Sequence, residues 1–310
     1  MIIVDTLELV YSGSVISLGN FDGVHRGHRF LIEKTKNIAL ENGKRSGIVT
    51  FYPHPLTLNK EPFPYFLTSI SEKLYLLKKL NLDFIFIKKF NEDFKKLTPK
   101  EFVVFLKEVL KPSIVVIGED FKFGRGREGD VYFLKKKMDK VEIVEKFEID
   151  HEEVSSTNIR DLIYTGSLRR ANQMLGYKYF VSGYKIKGKG YGKRIGFPTI
   201  NLKPVTEWKI IPHDGVYGGW SGFHSPLKAA IYVGSSPTLK MNEKTIEFHF
   251  VEQGWEDRRF YRIFFDSWFT EEKKFHTRDE LIDSIKSYVE TVKRRTGNWQ
   301  KEFSGETLIS

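Results

Sequence analysis

The sequence contains no cysteine and no long run of apolar residues. The lack of thiols excludes a disulfide framework, a thiolate zinc site, an iron–sulfur cluster and a cysteine nucleophile. Apolar runs such as 114–117 are far shorter than the roughly 18 residues that a membrane-spanning helix needs. The first residues show no basic segment followed by an apolar core, so no signal peptide is visible. We therefore expect a cytoplasmic protein without a membrane partner.

Positive charge is in excess: the sequence has 50 Lys and Arg residues and 40 Asp and Glu residues, which gives a net charge of +10. Such a balance favours anionic partners, which are nucleic acid, a membrane surface or phosphorylated small molecules. The basic runs at 135–137 and 293–295 are most simply solvated helix faces. Charge alone does not choose among these partners.

The length of 310 residues predicts about two domains, at about 150 residues per domain. In the first half, short β-branched runs alternate with helical segments, which predicts a parallel sheet covered by helices. The predicted strands are 14–18, 47–51, 83–87, 113–118 and 141–144, and the predicted helices are 28–42, 71–80, 99–110 and 131–139. Ligands of such sheets bind beyond the carboxyl ends of the strands.

The pattern changes near residue 150. Two short helices joined at Gly166-Ser167 and ended by Gly176 precede a series of short strands that predicts a small antiparallel barrel. The predicted strands are 180–186, 215–220, 229–233, 246–251 and 260–265, and a helix at 278–295 closes the chain with one apolar face. We expect an α/β domain at 1–176, with a Rossmann-like parallel sheet, and a β-barrel domain with a C-terminal helix at 177–310.

The first predicted strand leads into Gly-Asn-Phe-Asp-Gly-Val-His-Arg-Gly-His at 19–28, where a helix begins. Helix N-termini suit phosphate, and His25 and His28 are spaced to face an anion there. Imidazoles can stabilise charge that grows on an α-phosphate as pyrophosphate departs. The alternative is two ordinary surface histidines beside a turn. The candidate nucleotide-binding residues of this string are Gly19, Phe21, Asp22, Gly23 and Gly27, and the candidate catalytic residues are His25 and His28.

The pair His25-x-Gly-His28 resembles the signature of the nucleotidyltransferase superfamily. The longer string at 19–28 resembles, more narrowly, the bacterial bifunctional riboflavin kinase/FMN adenylyltransferases, or FAD synthetases. Two further segments are similar to that family: Thr-Phe-Tyr-Pro-His-Pro at 50–55 and Gly-Glu-Asp-Phe-Lys-Phe-Gly at 118–124. An aspartate, aromatic faces and arginines suit a flavin ring and a phosphate. The flavin-binding candidates are His54, Asp120, Phe121, Phe123 and Arg125.

The segment 124–129 also matches a dinucleotide fingerprint formally, but it does not follow the first strand of a βαβ unit, so we reject that interpretation. The string Ser-Ser-Thr-Asn-Ile-Arg at 155–160 opens the first connecting helix, where hydroxyls are usually caps. It resembles a superfamily element whose hydroxyls and amides lie near the ATP phosphates. The resemblance implies that Ser155, Ser156 and Thr157 bind ATP and that Arg160 is catalytic.

In the second domain, the segment 188–201 is not a P-loop, because its spacing is one residue short and Arg194 replaces the Ser or Thr. It resembles the riboflavin kinase signature, a glycine-rich loop followed by Gly-Phe-Pro-Thr-x-Asn. Alternating glycines let amides fold around phosphates, with Lys189, Lys193 and Arg194 adding charge. Neutral oxygens on one side of an extended segment, those of Thr199 and Asn201, suit Mg²⁺. The ATP-binding candidates are Gly188, Gly190, Gly192 and Lys193; the alternative is a glycine-rich hairpin.

The segment 245–250 reads as a strand with Glu247 and His249 on one face. A carboxylate on a barrel-lining strand is a candidate base for a ribityl hydroxyl, and the resemblance gives that role to Glu247. The chain departs from the family pattern at Tyr232, where asparagine is usual, and at 254–261 and 269–270. These departures put the flavin contacts of the kinase in question.

The resemblance implies a two-step synthesis of FAD with Mg²⁺: riboflavin and ATP give FMN, and FMN and a second ATP give FAD and pyrophosphate. Two alternatives stay open. A nucleotidyltransferase for another phosphorylated substrate would leave the second-domain signature unexplained. A basic nucleic-acid-binding protein would bind in a salt-dependent way and ignore flavin. We expect small-molecule partners only, with no nucleic acid, membrane or obligatory protein partner.

Overall fold

The computed structural model describes residues 2–4, 12–58, 65–188, 190–222, 226–235, 244–271 and 277–295. The chain divides into two compact units. Unit 1 comprises Met1–Pro64 and Ile70–Ser156, and unit 2 comprises Tyr65–Ser69 and Thr157–Ser310. The short segment Tyr65–Ser69 therefore packs with the later part of the chain, which the sequence did not indicate.

Unit 1 is built on a six-stranded sheet, and its strands are parallel, as the sequence predicts. Its strands are β1 (Ile2–Val4), β2 (Val15–Leu18), β3 (Ser46–Tyr52), β4 (Phe84–Lys89), β5 (Ile114–Gly118) and β6 (Val141–Val144). The order β1-β4-β3-β2-β5-β6 places β2 between β3 and β5, so the loops that follow these three strands lie side by side at the carboxyl edge. Strand β1 was not predicted. A small hairpin follows, formed by β7 (Glu148–Ile149) and β8 (Glu152–Glu153).

Strand β2 is buried on both faces, as is typical of the centre of a parallel sheet. Ile16 and Leu18 enter one apolar cluster, and Val15 enters another on the opposite face. The helices of this unit are α1 (Arg26–Glu41), α2 (Ile70–Lys78), α3 (Glu92–Lys95), α4 (Pro99–Val104) and α5 (Val131–Lys137). The single helix predicted at 99–110 is α-helical only in α4 and continues as a π-helical segment, Phe105–Leu110.

Unit 2 contains a closed barrel in which neighbouring strands are antiparallel, and this prediction is also confirmed. Helix α6 (Ser156–Tyr164) leads into it, and α7 (Leu168–Leu175) ends at Gly176, which is left-handed with φ 72°. The barrel strands are β9 (Phe180–Ile186), β10 (Ile200–Pro204), β11 (Gly215–Ser221), β12 (Leu227–Ser235), β13 (Lys244–Phe250) and β14 (Phe260–Thr270). Two helices complete the unit, α8 (Tyr191–Arg194) and α9 (Arg278–Arg295).

Strand β10 was predicted only as an extended segment. It pairs with β9 and β13, which sets Thr199 and Asn201 at the edge of the barrel wall that carries Glu247. The domain boundary at residue 176 stays a prediction. No helix within the described ranges is long and apolar enough to cross a membrane.

Candidate active sites in the two units

The loop at 19–24 joins β2 to α1 at the carboxyl edge of the sheet of unit 1. Phe21 and Val24 are fully buried in this loop and both have left-handed backbones, with φ 50° and 40°. Side chains other than glycine rarely adopt this conformation, and it is least favourable for a β-branched residue. Such strain persists only where the surrounding structure enforces it, and it concentrates at functional sites.

Side chains from neighbouring elements hold the loop by its carbonyl groups. Asn20 O accepts from Lys73 Nζ at 2.7 Å and from Thr50 Oγ1 at 3.1 Å. Asp22 O accepts from Ser156 Oγ at 2.9 Å. Further on, Arg29 Nε donates to Val24 O at 3.0 Å. Ser156, predicted to bind ATP, therefore lies against the loop and fixes it.

His25 and His28 come together at the N-terminus of α1. His25 is the N-cap, and its Nδ1 accepts the backbone N–H of His28 at 3.3 Å. A nitrogen that accepts carries no proton, so the neutral ring of His25 must carry its proton on Nε2. The two rings stack with their centroids 3.6 Å apart. The arrangement gives one imidazole a fixed N–H donor beside the free amides of a helix start.

The pKa of His28 lies well below its ordinary value. Burial is the largest cause, because it penalises the imidazolium, and the charges of His25 and Lys73 act in the same direction. His28 is therefore neutral at pH 7. Its Nδ1 is buried and has no hydrogen-bond partner among the described residues. Gly27 lies in the first turn of α1, where there is little room for a side chain. An added Cβ would lie 3.1 Å from Val154 O and 3.3 Å from His25 Nδ1.

The predicted flavin residues follow β3 and β5, which flank β2. His54 is half-buried, and its Nδ1 accepts from Leu56 N at 3.2 Å. Asp120 and Arg125 are exposed, and Phe121 is half-buried. Phe123 is different, because its ring is only 5% exposed and packs into the apolar core of unit 1. Phe123 thus anchors its segment to the core of unit 1. The flavin contacts of all five residues stay predictions.

The string at 155–160 spans the division between the two units. Ser155 and Ser156 belong to unit 1. Thr157 and Arg160 belong to unit 2, where Arg160 Nη2 donates to Thr157 Oγ1 at 3.3 Å. The roles predicted for Ser155, Thr157 and Arg160 stay predictions.

The barrel of unit 2 opens into a cavity of about 350 Å³. Its polar wall comes from the glycine-rich loop and the neighbouring ends of β10 and β13, and its apolar wall comes from one face of α9. The residues that line it include Gly190, Gly192, Thr199, Asn201, Glu247, His249, Leu281, Ile285, Tyr288 and Val289. The apolar face of α9 was visible in the sequence, but nothing there placed it against a site. Burial raises the pKa of Tyr288 on this face.

Glu247 lies at the centre of the polar wall. It stands opposite Asn201 on one neighbouring strand and opposite Tyr232 on the other. Thr199 Oγ1 donates to Glu247 Oε2 at 3.1 Å. His249, on the same face of β13, bonds through Nδ1 to Pro198 O at 2.9 Å, which fixes the residue before Thr199. The structure thus brings Thr199, Asn201 and Glu247 together on one wall of the cavity, and the roles predicted for them stay predictions.

The glycine-rich loop packs closely over these oxygens. A Cβ on Gly188 would lie 2.2 Å from Asn201 Nδ2, and one on Gly192 would lie 2.3 Å from Phe197 O. Neither position can hold a side chain without displacing its neighbour. Gly190 is left-handed with φ 68°, and Lys193 is exposed. Lys189 lies outside the described residues.

Sequence reasoning missed Lys73, which is 4% exposed and lies within hydrogen-bond distance of the loop at 19–24. The position of Lys73 on α2 was a sequence signal that could have revealed it. Lys73 precedes Leu76 and Leu77 by three and four positions, so it occupies the apolar face of α2. A charged residue on such a face is a reason to look for a buried partner.

Comparisons with known proteins match two successive parts of the chain to two families. The family model for FAD synthetase matches residues 8–158, and the model for riboflavin kinase matches residues 175–296. A bifunctional riboflavin kinase/FMN adenylyltransferase of Listeria monocytogenes is 38% identical over 219 residues, which is 69% of each chain. Its counterpart in Buchnera aphidicola from Schizaphis graminum is 29% identical and covers 94% of this chain and 96% of its own.

A solved structure extends the likeness to three dimensions. A protein of Streptococcus pneumoniae, described as a macrolide-efflux protein, superimposes with a TM-score of 0.84 at 25% identity, over 94% of this chain and 98% of its own. That description applies to the Streptococcus protein. The resemblance seen in the sequence is confirmed by the two family models and by the relatives: this chain belongs to the family of bifunctional riboflavin kinase/FMN adenylyltransferases.

Proposed function

We propose that the two activities of the family run at the two sites described above, each with its own ATP. Unit 2 transfers the γ-phosphoryl group of ATP to the ribityl hydroxyl of riboflavin, which gives FMN and ADP. Unit 1 transfers AMP from ATP to FMN, which gives FAD and pyrophosphate. The observation that carries the second assignment is the His25–His28 pair at the N-terminus of α1.

In the adenylyl transfer, a phosphate oxygen of FMN attacks the α-phosphorus of ATP, and the bond to the pyrophosphate oxygen breaks. The attacking phosphate is already a nucleophile, so the protein supplies position and charge stabilisation. The fixed Nε2–H of His25 and the neutral ring of His28 are donors for oxygens on which charge develops. The amides at the start of α1 and the bare backbone at Gly27 admit the phosphate.

In the kinase reaction, Glu247 accepts the proton of the ribityl hydroxyl as its oxygen attacks the γ-phosphorus of ATP. The carboxylate lies one hydrogen bond from Thr199, so the base and the nucleotide-side oxygens share one wall of the cavity. The apolar face of α9 offers the opposite wall to a flavin ring. Tyr232, where the family usually has asparagine, lines the cavity beside Glu247.

The oxygens of Thr199 and Asn201 fit Mg²⁺, because a hydroxyl and an amide carbonyl beside a carboxylate form the hard donor set that this ion prefers. The close approach of Gly188 and Gly192 keeps side chains out of the space above them. Magnesium would neutralise phosphate charge during the transfer. The same assignment makes ATP-Mg²⁺ the substrate form at this site.

The test is chromatography of the products formed from riboflavin, ATP and Mg²⁺. We expect FMN to appear first and FAD to follow. His28→Ala should abolish FAD while FMN still accumulates, because the two reactions use different residues. A folded wild-type protein that makes neither product contradicts the proposal, and loss of both products in His28→Ala contradicts two separate sites. A matched incubation with EDTA tests the magnesium assignment.

Three expectations from the sequence belong to this proposal. Arg160, Ser155 and Thr157 act on the adenylylation side as the resemblance implies. The protein works in the cytoplasm on small molecules, without nucleic acid, membrane or obligatory protein partner. A different phosphorylated acceptor in unit 1 is the remaining alternative, and competition between FMN and other mononucleotides in the FAD assay decides it.

A further inference from the structure

Lys73 is a buried charge that the reactions above do not use. It lies in the first turns of α2 and is 4% exposed. Its Nζ donates to Asn20 O at 2.7 Å and to Thr50 Oγ1 at 3.3 Å, and Thr50 Oγ1 donates to Asn20 O at 3.1 Å. The three groups form a closed triangle at the carboxyl ends of β2 and β3.

A buried ammonium group is costly unless charge and hydrogen bonds compensate for it. A methionine or leucine at this position of α2 would pack without that cost, as Leu76 and Leu77 do. One hydrogen bond of Lys73 reaches Asn20 in the loop at 19–24, and the other reaches Thr50 of β3, which itself donates to Asn20 O. Its polar contacts therefore serve the geometry of that loop.

The loop needs such support, because Phe21 and Val24 are held in left-handed backbone conformations. Asn20 directly precedes the first of these residues, and its carbonyl accepts from both Lys73 and Thr50. The next residues lead to His25, whose cap bond to His28 depends on how the chain enters α1. Small errors in such an entry are costly for catalysis, since a shift of about 1 Å can reduce a rate about 10²-fold.

We propose that Lys73 is a positioning residue for adenylyl transfer, which holds the loop at 19–24 through Asn20 and places a fixed positive charge beside the His25–His28 pair. The inference rests on the function proposed for unit 1. It adds a residue to that site which acts through the loop and the histidines.

The charge of Lys73 has a direct effect on His28. Burial lowers the pKa of Lys73 to about 8, and the carboxylate of Asp22 opposes that shift. Lys73 is thus mostly protonated at pH 7, and its charge is one of the causes that lower the pKa of His28. Asp22 in the loop and His28 of α1 interact with this charge, and His25, the N-cap of α1, interacts with His28; Glu72, the preceding residue on α2, is also buried. The positive charge favours the neutral imidazole of His28.

The experiment compares Lys73→Met with Lys73→Arg and with Lys78→Met, a matched change at an exposed position of the same helix. FAD formation is measured with supplied FMN and ATP, and FMN formation from riboflavin is measured in the same preparation. We expect Lys73→Met to lower kcat for FAD formation at least about tenfold, as a misplaced reacting group does. We expect Lys73→Arg to recover part of the loss, and Lys78→Met to match the wild type. FMN formation should stay unchanged in all three.

A second readout separates positioning from a purely structural role. The titration of His28 is followed by NMR of the imidazole nitrogens, with His28→Gln to assign the signal. In Lys73→Met the midpoint of His28 should rise, because a positive neighbour has been removed, and in Lys78→Met it should not move. If Lys73→Met proves unfolded, Thr50→Val takes its place in the kinetic assay, since it removes the two sides of the triangle that Thr50 Oγ1 forms and buries no new charge.

The inference is overturned if folded Lys73→Met makes FAD within about threefold of the wild-type rate, below the loss expected for a misplaced group. It is also overturned if the midpoint of His28 does not rise, or if Thr50→Val, used in its place, makes FAD at the wild-type rate. A different result points to the proposed function itself: wild-type protein that makes FMN but no FAD from FMN and ATP refutes the adenylyltransferase assignment whatever the variants do.

Discussion

The Nδ1 atom of His25 accepts the backbone N–H of His28 at 3.3 Å, while the two rings stack with their centroids 3.6 Å apart. One hydrogen bond thus caps the N-terminus of α1 and fixes the tautomer of His25. The N–H of His28 is one of the donors that a helix start leaves unpaired, and the ring that satisfies it must carry its own proton on the opposite nitrogen. The bond that caps α1 therefore also orients the Nε2–H of His25, the donor that we propose for adenylyl transfer.

This relationship predicts that His25→Asn separates the two roles. Asparagine is among the best N-cap residues, so the side-chain oxygen should replace Nδ1 and α1 should remain intact. The Nε2–H donor is lost, and removal of one such donor typically lowers kcat about 10²–10³-fold. We expect FAD formation from supplied FMN to fall by that amount, with FMN formation unchanged. His25→Ala serves as the comparison, because it also removes the cap, worth about 1 kcal/mol. FAD formation by His25→Asn close to the wild-type rate would show that the ring only caps the helix.

The low pKa of His28 predicts how the stability of unit 1 depends on pH. The unfolded chain binds a proton at this residue near pH 6.5, whereas the folded protein binds it only at a lower pH. The contribution of His28 to folding is thus fully present above pH 6.5 and is lost as the pH falls from there through the folded pKa. Chemical denaturation of wild type and His28→Gln at pH 8, 6.5 and 5 checks this. The difference in unfolding free energy between the two proteins should change in favour of His28→Gln at the lowest pH; a constant difference contradicts the low pKa.

The general arrangement of the sites could be predicted because it follows from local patterns. The strand–loop–helix at 14–42 and the glycine-rich segment at 188–201 carry their geometry in spacing and turn residues. The predicted barrel, the helix pair ended by Gly176 and the helix at 278–295 were recognised in the same way. These features depend on residues close together in the chain.

The remaining features depend on contacts between distant residues. The bond from Ser156 to Asp22 joins residues 134 positions apart, and that from Lys73 to Asn20 joins residues 53 apart. The motif makes Phe123 a flavin-binding candidate, yet its ring packs into the core of unit 1, 4.8 Å from the ring of Phe102 between centroids. No period or motif in the sequence specifies these pairings. The sequence could therefore name the candidate residues but not which of them support the others.

Gly192→Ala should remove kinase activity through steric conflict. The backbone of Gly192 is not left-handed, so alanine is acceptable there by conformation, but its Cβ would lie 2.3 Å from Phe197 O and 3.1 Å from Thr199 Oγ1. The loop or the Thr199 segment has to move, and the ATP side of the cavity moves with it. We expect a raised KM for ATP and a lower kcat for FMN formation.

A glycine of unit 1 provides the control for this substitution. Gly43 has φ 62° and no atom within 4 Å of the position of an added Cβ, and asparagine tolerates such backbones. Gly43→Asn should form FMN at the wild-type rate. If Gly192→Ala does so as well, the loop is not packed over Thr199 in the working enzyme.

Lys209→Met should destabilise unit 2. The amine of Lys209 is 2% exposed, donates to the carbonyl of Leu67 and lies 4.4 Å from the ring centroid of Tyr179. It thereby fastens the segment Tyr65–Ser69, where Phe66 pairs with Trp208 and Ile210 through its backbone. Methionine keeps the packing but removes the buried hydrogen bond to the Leu67 carbonyl, at a cost of about 1–3 kcal/mol.

Calorimetry measures this effect as a shift in the melting of unit 2. About 1 kcal/mol corresponds to about 2–4 °C for a unit of this size, so we expect a decrease of several degrees. Lys203→Met, an exposed position on β10, should melt as the wild type does. Equal melting of the two variants would mean that the bond from Lys209 to Leu67 contributes nothing to the stability of unit 2.

Glu247→Gln should remove riboflavin phosphorylation and leave adenylylation of supplied FMN intact. Glutamine keeps the size of glutamate and can still accept the hydrogen bond of Thr199 through its carbonyl oxygen, so the wall formed by β10 and β13 should survive. It cannot take the proton of the ribityl hydroxyl, and general-base assistance is worth about 10²–10⁴-fold. The loss should appear in kcat while the KM for ATP changes little, because the glycine-rich loop and Thr199 lie on the nucleotide side. Glu207→Gln makes the same chemical change at an exposed turn of the same unit and should have no effect. Formation of FMN by Glu247→Gln within about threefold of the wild type would be smaller than the effect of any general base, and Glu247 would then be a structural partner of Thr199.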